Sequence, residues 1–552
     1  MRSRHFAVLL ALIIAAASVI APAQTPRPLF YSDDPLPREP ETQDASKVAE
    51  WDISLAYDLA YSYFVTPRRT SSNLRAGNIN TIDEVPDSSW FTNRMGARPV
   101  STAELIAGPN TGAAPDPSTW TVTREKSSGF AAGFTARDAG GDTWFVSFDA
   151  PSNPEGATGA IVVATKIFWA LGYNQVENFL TELRQENVKI DPQATVRRYS
   201  GDRTPMTRDD LQEVLDRARP RPDGAYRVAA GRALPGRLLG GFRYESTRPD
   251  DPNDLVDHQH RRELRALRVF GAWTNLTDMK AGNTLDTLIT EGGRGIVKHY
   301  LQDVGSTFGI GANGPHDWIE GWEYVYDAAP ARRRLLTLGF DLSPWQTANY
   351  DELPAIGRFE GDAFDPATWK PRAPVRAYIE MRDDDAFWAA RKVMAFSDEA
   401  IRTVVSTGGF TDPRASELLT NVLIKRRDAI GRTYLTRINP IVEPALDPSG
   451  LLTFANAAVD QKLAAAPDRY VARWHRFDNP TRVSTPIGET SSTTTRIQAP
   501  ANLPSQAGDY LRLEIRAEHA QHSSWNRPID VYFKRAGAAW KLVGLFRLPQ
   551  PD

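Results

Sequence analysis

The spacing of apolar positions changes along the chain, and each spacing predicts a different kind of element. Near the start, apolar residues recur every four positions from Trp51 to Tyr63, which is typical of one face of a helix. Between residues 119 and 149, apolar and polar residues alternate in short runs bounded by glycine and aspartate, as in TWFVSFD. Such alternation predicts a set of β-hairpins.

Two longer segments predict helices in the middle of the chain. The apolar segment ATGAIVVATKIFWALGY follows Asn153-Pro154-Glu155 and ends at Gly172, so it has both a start and a stop signal. The segment RRELRALRVFGAW, residues 261–273, is amphipathic, with Leu264 and Leu267 facing inward. A loop, TNLTDMKAGNTLD, then leads to a strand pair around GRGIVKHYLQDVG, and further helical stretches extend to about residue 440.

The C-terminal part of the chain has a different pattern. Beyond about residue 445, short alternating runs such as YLRLEIRAEH and PIDVYFKR are separated by turn residues. This pattern predicts a small antiparallel β-sandwich module. Its tryptophans Trp474, Trp525 and Trp540 suit a sandwich core, because large rings fill small β cores, but they would also suit a surface that stacks on sugars.

The N-terminus, MRSRHFAVLLALIIAAASVIAPAQ, places two arginines before an apolar run and a small-residue sequence. It predicts a secretory signal peptide over residues 1–23, cleaved after Ala23, in preference to an uncleaved membrane anchor. No later segment approaches about 18 consecutive apolar residues, so no transmembrane segment is expected after removal of the signal. We therefore expect a periplasmic or secreted protein.

The composition narrows the classes of function. The 552 residues include no cysteine, which excludes disulfides and a thiolate nucleophile. Hydrophobic residues make up 41% of the chain and charged residues 24%, which indicates a globular protein. A formal net charge of -3, without a basic patch that interleaves with aromatic residues, argues against a nucleic-acid partner.

The loop after the second predicted helix carries the strongest chemical signal. Asp278 and Asn283 stand five residues apart, and Lys280 lies between them. Phosphoryl transfer requires a carboxylate near the acceptor hydroxyl and oxygen ligands that hold a metal against the phosphates. Asp278 suits the first role, and Lys280 is placed to neutralise a transferring phosphate. By itself the spacing is weak, because Asp and Asn are common in loops.

A further acidic position follows Asn283 by twenty residues. The predicted strand over residues 296–301 delivers Asp303 in a strand-end turn before Gly305, where a carboxylate is well placed to bind a metal. His299, on the same strand, is interpreted as a packed or hydrogen-bonded residue. Asp286 either serves a second metal or caps the local NTLD turn.

The order of strands, glycine turn and helix, together with the motifs TDMKAGN and QDVG, resembles the atypical protein-kinase-like superfamily that includes HipA toxin kinases, secretory-pathway Fam20 kinases and spore-coat CotH kinases. The stretches RRELRALRVFGAWTNLTDMKAGNTLD, VKHYLQDVGSTFG and FWAARKVMAFSDEAI also look like a group of uncharacterised exported bacterial proteins. This second resemblance covers most of the mature chain.

The patterns and the resemblance together predict an α+β fold class: a two-lobed kinase-like fold with an N-terminal extension and a C-terminal antiparallel β-sandwich module. The predicted domains are the signal peptide 1–23, the extension 24–115, the N-lobe 116–240, the C-lobe 241–444 and the sandwich module 445–552.

The resemblance also implies roles for single residues. Asp278 matches the catalytic aspartate, Asn283 matches a metal ligand and Asp303 matches the principal metal ligand. The turn with Gly129 and Gly133 would cover the phosphates of ATP, and the metal would be Mg²⁺ or Mn²⁺.

One position departs from the family's pattern. The third strand of a kinase lobe normally carries a lysine that pairs with the nucleotide phosphates, and Ser147 stands there. A hydroxyl group cannot supply that charge. Lys126 at the glycine turn and Lys166 on the following helix are candidates to supply it, and Glu155 is the candidate carboxylate that would orient such a lysine or the metal.

These observations predict an exported kinase-like protein that binds ATP with a divalent metal and transfers a phosphoryl or nucleotidyl group to an envelope protein or glycan. Ser147 leaves two alternatives open. One is a catalytically inactive kinase-like scaffold, and the other is an envelope protein that binds a glycan or a protein partner.

Overall fold

The computed structural model describes residues 27–125, 132–198, 201–340, 342–351 and 353–548. These residues form a mixed α+β structure with several β-sheets, which confirms the predicted α+β class. The predicted signal peptide lies outside the described residues, as do Lys126 and Gly129.

The helices of the described residues are, in chain order, α1 (Leu55–Phe64), α2 (Thr102–Ala107), α3 (Gly156–Leu171), α4 (Arg208–Asp216), α5 (Arg262–Thr274), α6 (Ala328–Leu336), α7 (Arg376–Ile379), α8 (Asp383–Met394), α9 (Asp398–Ser406), α10 (Pro413–Tyr434) and α11 (Ala457–Asp460). Within these residues, none of the helices combines the length and apolar character needed to cross a bilayer.

The strands that precede the C-terminal part are β1 (Trp120–Glu125), β2 (Gly133–Arg137), β3 (Thr143–Phe148), β4 (Asn178–Leu183), β5 (Val188–Arg197), β6 (Arg203–Pro205), β7 (Tyr226–Arg232), β8 (Arg237–Gly240), β9 (Thr284–Glu291), β10 (Arg294–Leu301), β11 (Ile310–Gly311) and β12 (Gly314–Pro315). Those of the C-terminal part are β13 (Ile441–Leu446), β14 (Leu451–Asn456), β15 (Arg469–Phe477), β16 (Ser484–Ser492), β17 (Arg496–Gln498), β18 (Tyr510–Glu518), β19 (Ile529–Ala536) and β20 (Ala539–Phe546).

The first large sheet has seven strands in the order β4-β7-β3-β2-β1-β5-β6, and β1 and β5 are its parallel pair. Alternate residues of β3 point to opposite faces, so Trp144, Val146 and Phe148 share one face. There they pack with Leu211 and Leu215 of α4 in a separate hydrophobic core. This face of the sheet is therefore covered by α4.

Helix α3 contacts strands β3, β4 and β7 of the same sheet and joins the main hydrophobic core of the molecule. Its first turn is built of small residues because neighbouring segments approach closely. A Cβ atom at Gly159 would lie 2.5 Å from the ring of Phe410, and one at Gly156 would overlap the side chain of Ile310. The small residues therefore set how near the start of α3 lies to the later part of the chain.

The chain leaves the seven-stranded sheet after β7. The next strand, β8, pairs with β9 in a three-stranded sheet whose order is β10-β9-β8. Helix α5 lies between β8 and β9 in the sequence. The loop after α5 therefore leads into this second sheet, and the turn with Asp303 follows the sheet's last strand, β10. The two sequence motifs singled out above therefore lie on one structural unit.

Helix α1 differs from its prediction. The predicted stripe from Trp51 to Tyr63 becomes a helix only from Leu55 onward, and no residue of that helix is buried. Leu55 and Leu59 stay about half exposed, at 49% and 44%. The apolar spacing is helical as predicted, but no element covers the whole stripe, because the helix lies on the surface beside residues 281–283.

The C-terminal strands form a five-stranded antiparallel sheet, β16-β15-β18-β19-β20, and a three-stranded sheet, β13-β14-β17. Strand β13 contacts β19 and β20 of the larger sheet. Trp474 and Trp525 are fully buried and Trp540 is 8% exposed. These three rings are core residues, which is the first of the two interpretations offered for them.

Candidate functional site

Helix α5 positions the loop that carries Asp278. The helix ends at Thr274 and is capped by Asn275, which has a left-handed backbone (φ 54°). The side-chain oxygen of Asn275 accepts a hydrogen bond of 2.9 Å from the indole of Trp369. The chain then turns, and the side-chain amide of Asn283 donates to the backbone carbonyl of Asp278 at 2.6 Å. This bond closes the loop and fixes the two predicted site residues against each other.

The end of strand β10 meets the same loop. The backbone N–H groups of Gln302 and Asp303 donate to the carbonyl of Asn283 at 3.0 and 3.1 Å. The Asp303 carboxylate accepts a hydrogen bond of 3.0 Å from the N–H of Gly305 and is exposed to solvent. The structure therefore brings Asp278, Asn283 and Asp303 together.

The side chains of Asn283 and Asp303 offer hard oxygen ligands, the kind that magnesium and manganese bind. Magnesium in nucleotide sites is typically held by one or two protein oxygens, with the phosphates and water completing its shell. In the part of the chain that the structure describes, no group of three or more His, Asp or Glu side chains is arranged to hold a metal ion. Asn283 and Asp303 therefore have the donor chemistry of magnesium or manganese ligands.

Two cations lie beside the Asp278 carboxylate. The Lys280 Nζ is 2.8 Å from the Asp278 Oδ2, and a guanidinium nitrogen of Arg372 is 3.7 Å from the same oxygen. Arg372 is held in turn by Glu320 through bonds of 2.8 and 3.0 Å, and the hydroxyl of Thr277 donates to Glu320 at 2.6 Å. Asp278 therefore sits in a chain of ion pairs that continues through Arg372 and Glu320, both of which lie far from Asp278 in the sequence.

The charge states of Glu320 and Arg372 follow from their surroundings. Burial alone would raise the pKa of the Glu320 carboxyl, but the pKa is lowered because the charge of Arg372 and the hydrogen bonds from Arg372 and Thr277 stabilise the ionised form. Burial would likewise lower the pKa of Arg372, and the hydrogen bonds and charge of Glu320 raise it instead. Both groups are charged at neutral pH, so they hold a fixed orientation beside Asp278.

His316 links the Glu320 carboxylate to the segment after Asp303. Burial lowers the pKa of His316 to about 4, so its ring is neutral at neutral pH. Its Nε2 is 2.9 Å from the hydroxyl of Ser306, and its Nδ1 is 3.6 Å from Glu320. The loop that follows β10 is thereby tied to the loop that follows α5 from a second side.

The start of α3 carries another charged cluster. The Glu155 carboxylate accepts hydrogen bonds from the backbone N–H of Thr411, at 2.7 Å, and from its hydroxyl. Arg227 of β7 donates to two carbonyls of the 408–411 loop at 2.5 Å each and to the hydroxyl of Thr158 at 2.8 Å. The two side chains fasten this loop to the seven-stranded sheet and to α3.

Arg227 also places a cation beside the strand of Ser147. Ser147 pairs with Ala229 across β3 and β7, and Arg227 lies two residues before Ala229. Its guanidinium is 3.8 Å from Glu155 and 4.0 Å from Asp149. The sequence motifs do not point to Arg227. The signal that could have drawn attention to it is an arginine that directly precedes the small, apolar run VAAG in a predicted strand.

The three residues predicted for the glycine turn are only partly described. Gly133 begins β2 and pairs directly with Ser147 in the β2–β3 hairpin. Lys126 and Gly129 lie outside the described residues.

Lys166 lies on a different side of α3 from the Asp303 loop. A Cβ atom built at Gly108 would be 2.6 Å from the Lys166 side chain, whereas one built at Gly305 would be 2.8 Å from Ile161. Residues five apart on a helix are separated by about 140° around its axis. Burial lowers the pKa of Lys166 to about 8. The structure thus does not bring Lys166 to Asp278 and Asp303.

Asp286 and His299 form a buried pair in the sheet behind the loop. The His299 Nδ1 is 2.7 Å from one Asp286 oxygen, and Arg248 is 3.2 Å from the other. His299 also stacks on the ring of Trp90 with a centroid distance of 3.5 Å. His299 is a packed residue as predicted, and Asp286 uses its carboxylate in this ion pair.

The chain matches no protein-family model and no curated protein.

Three solved structures are similar to it over a large part of its length. The crystal structure of the Helicobacter pylori proinflammatory kinase CtkA is 13% identical, covers 58% of this chain and 97% of its own, and has a TM-score of 0.31. Two crystal structures of the Golgi casein kinase, one of them with Mn and ADP bound, are 8% identical, cover 73% of this chain and 97% of their own, and have TM-scores of 0.30. Similarities of this size carry no conclusion about the fold or the activity of this chain.

Proposed function

We propose that this chain is an exported kinase-like protein that binds ATP with Mg²⁺ or Mn²⁺ and transfers a phosphoryl group to a hydroxyl group of an envelope protein or glycan. The observation that carries the proposal is the junction at Asn283. Its amide holds the backbone of Asp278, and its carbonyl holds the backbone of Asp303. Asp278, the candidate proton acceptor, and Asn283 and Asp303, the candidate metal ligands, therefore lie in two adjacent loops that these hydrogen bonds join.

Each residue of the junction has a role in this reaction. Asn283 and Asp303 would hold the metal ion, which supplies positive charge against the phosphates. The bond between the γ-phosphorus and the leaving oxygen of ADP breaks, and a bond from the acceptor oxygen to phosphorus forms. Asp278 takes the proton of the acceptor hydroxyl.

Lys280 is the best candidate for the charge that Ser147 does not supply. Arg227 is buried and already donates to three oxygens, so releasing it would break the anchor of the 408–411 loop. Lys280 makes an ion pair with Asp278 at the surface, where its side chain is 42% exposed. Exposed ion pairs contribute little free energy, so Lys280 can exchange the carboxylate for a phosphate at low cost.

A second function, a nucleotide-binding scaffold without turnover, is favoured by one observation. Both Lys280 and Arg372 face the same oxygen, Oδ2, of the Asp278 carboxylate, so only the other oxygen is left to take the proton of an acceptor hydroxyl. If an acceptor does not reach that oxygen, Asn283 and Asp303 would still hold a metal–nucleotide complex.

Thermal unfolding with and without ATP and Mg²⁺ or Mn²⁺ tests the proposal. At 100 times its Kd, ATP should stabilise the wild-type protein by about 2.7 kcal/mol. Asp303→Asn should abolish this shift, whereas Asp278→Asn should keep it and lose transfer of label from γ-labelled ATP to an envelope extract. Asp362→Asn, which changes an exposed carboxylate paired with Lys425, is the matched control and should behave as wild type.

The outcomes separate the two functions. Label transfer that depends on Asp278 supports the phosphotransferase. A thermal shift without transfer, lost in Asp303→Asn, supports the scaffold. The absence of a shift in the wild-type protein at millimolar nucleotide would contradict both.

A further inference from the structure

Helix α1 contacts the candidate site on two sides. The side chain of Leu55 covers Gly282, because a Cβ atom built at that glycine would lie 3.2 Å from both methyl groups of Leu55. Near the other end of the helix, the hydroxyl of Tyr63 donates to the backbone carbonyl of Arg372 at 2.9 Å. The helix therefore lies across both the loop that carries Asp278 and the segment that carries Arg372.

The turn that ends in Asn283 is not capped by its own first residues. Residues Ala281–Asn283 form a short 3₁₀ turn, and the side chain of Lys280, which precedes it, makes no capping hydrogen bond. The first N–H groups of a helical turn have no acceptor within the turn. The N–H of Ala281 instead forms a hydrogen bond with the Asp58 carboxylate of α1. Asp58 thus caps this turn from a distant segment.

Arg243 holds the Asp58 carboxylate in this position. The Nε of Arg243 is 3.4 Å from the Oδ1 of Asp58, whose side chain is only 18% exposed. The residue before Arg243 is tied to the same turn: the N–H of Phe242 donates to the Thr284 hydroxyl at 2.8 Å, and that hydroxyl donates to the carbonyl of Ala281 at 2.7 Å. The cap and the turn are therefore fixed against each other.

The Asp58 carboxylate is not explained by a gain in stability. Partial burial raises the pKa of Asp58, and the charge of Arg243 and the hydrogen bond from Ala281 offset this effect only in part. A carboxyl group whose pKa is raised by folding makes the folded protein less stable at neutral pH than an ordinary carboxyl group would. Ionisable groups kept at such a cost are concentrated at functional sites.

We propose that Asp58 is a positioning residue, which caps the Ala281–Asn283 turn and thereby sets the orientation of Asn283. Asn283 in turn holds the backbone of Asp278 and of Asp303, so the cap acts on the whole junction. This inference rests on the proposed function, because it gives Asp58 a role in the same metal–nucleotide site. Asp58 touches neither the nucleotide nor the metal and acts through the backbone of the turn.

Three variants of the full chain test this role. Asp58→Ala removes the cap and introduces the residue that most favours a helix, so α1 should persist. Asp58→Asn keeps a side-chain oxygen that can accept the hydrogen bond from Ala281. Asp52→Ala is the matched control, because Asp52 is an exposed aspartate in the segment that leads into α1. Each variant is measured by amide hydrogen exchange, by thermal-shift titration with ATP and Mg²⁺, and by thermal unfolding without ligand.

In Asp58→Ala, the amides of residues 281–283 should exchange about tenfold faster, the effect of losing one hydrogen bond to a charged group. The Kd for ATP with Mg²⁺ should rise about tenfold, whereas the Tm without ligand should stay within about 2 °C of the wild-type value. Asp58→Asn should bring the exchange and the Kd back to within about threefold of wild type. Asp52→Ala should behave as wild type.

Two results with Asp58→Ala would overturn the inference: unchanged exchange at residues 281–283, or faster exchange with an unchanged Kd. A larger fall of the Tm without ligand would also overturn it, because Asp58 would then stabilise the fold. Failure of the wild-type protein to bind ATP would contradict the proposed function. The exchange measurement needs no ligand, so it decides separately whether Asp58 holds the turn.

Discussion

Removal of the Arg372 guanidinium tests the chain of ion pairs beside Asp278. Glu320 is almost fully buried, with 4% of its side chain exposed, and Arg372 supplies two of its hydrogen bonds. In Arg372→Met the carboxylate would keep the hydroxyl of Thr277 but lose its charged partner. A buried carboxylate without a compensating charge is strongly unfavourable.

The expected magnitude lies between two limits. Breaking a fully buried ion pair costs about 3–5 kcal/mol, and an exposed pair contributes about 0–1 kcal/mol. Arg372 is 35% exposed, so solvent screens its charge, whereas Glu320 is not screened. We therefore expect a coupling free energy of about 2 kcal/mol between Arg372 and Glu320.

A double-mutant cycle with Arg372→Met and Glu320→Gln, followed by urea unfolding at pH 7, measures that coupling. Since Glu320 has a lowered pKa in the folded protein, its contribution is present above the unfolded pKa of about 4.3 and is lost as the pH falls through the folded value. The difference between wild type and Arg372→Met should therefore shrink in acid. A coupling below about 0.5 kcal/mol, or a difference that grows in acid, would refute this account.

Three further predictions concern other parts of the molecule. Because burial lowers the pKa of Lys166 from 10.5 to about 8, the unfolded chain binds more protons between these values and stability rises with pH there. Lys166→Met should therefore be more stable by about 3 kcal/mol at pH 7, with no gain above pH 10.5; loss of nucleotide binding would instead mark Lys166 as a ligand. Arg227→Lys should cost about 2 kcal/mol and speed amide hydrogen exchange in residues 408–411, and unchanged exchange would show that Arg227 does not anchor them. A Cβ atom at Gly241 would overlap the carbonyl of Ala281, so Gly241→Ala should cost about 1–3 kcal/mol and weaken binding of ATP with Mg²⁺, measured by thermal shift. Gly140→Ala is the control and should be neutral, because its Cβ atom would lie 3.4 Å from the Asp138 carboxylate, an ordinary contact distance.

The sequence is sufficient to predict those residues of the site that lie within one short stretch of the chain. Asp278 and Asn283 lie in one loop, and Asp303 follows the next hairpin, so spacing and strand ends suffice to group them. Arg372, Glu320 and Arg227 come from segments far away in the sequence, and no periodicity connects them to the loop. Their arrangement depends on how the segments pack, which is why they were missed.

The charged residues of α5 show the same limit within one helix. The pattern predicts Leu264 and Leu267 on an inward face, and both are buried. Arg262 and Arg265 are also 0% exposed, because the Asp385 carboxylate of α8 accepts a bond of 2.9 Å from each. The burial of a charge depends on a partner from another segment, and the sequence of α5 does not contain that partner.

The sequence by itself determined the helical and strand periods, the α+β class, and the grouping of Asp278, Asn283 and Asp303, because these follow from neighbouring residues. Only the tertiary structure decided which apolar faces are covered. The apolar stripe of α1 has the spacing of a buried surface, yet no residue of that helix is buried, and Leu335 and Leu336 of α6 are 75% and 77% exposed. Apolar residues are driven out of water only where another element offers a surface to meet them, and that surface is set by the packing of the whole chain.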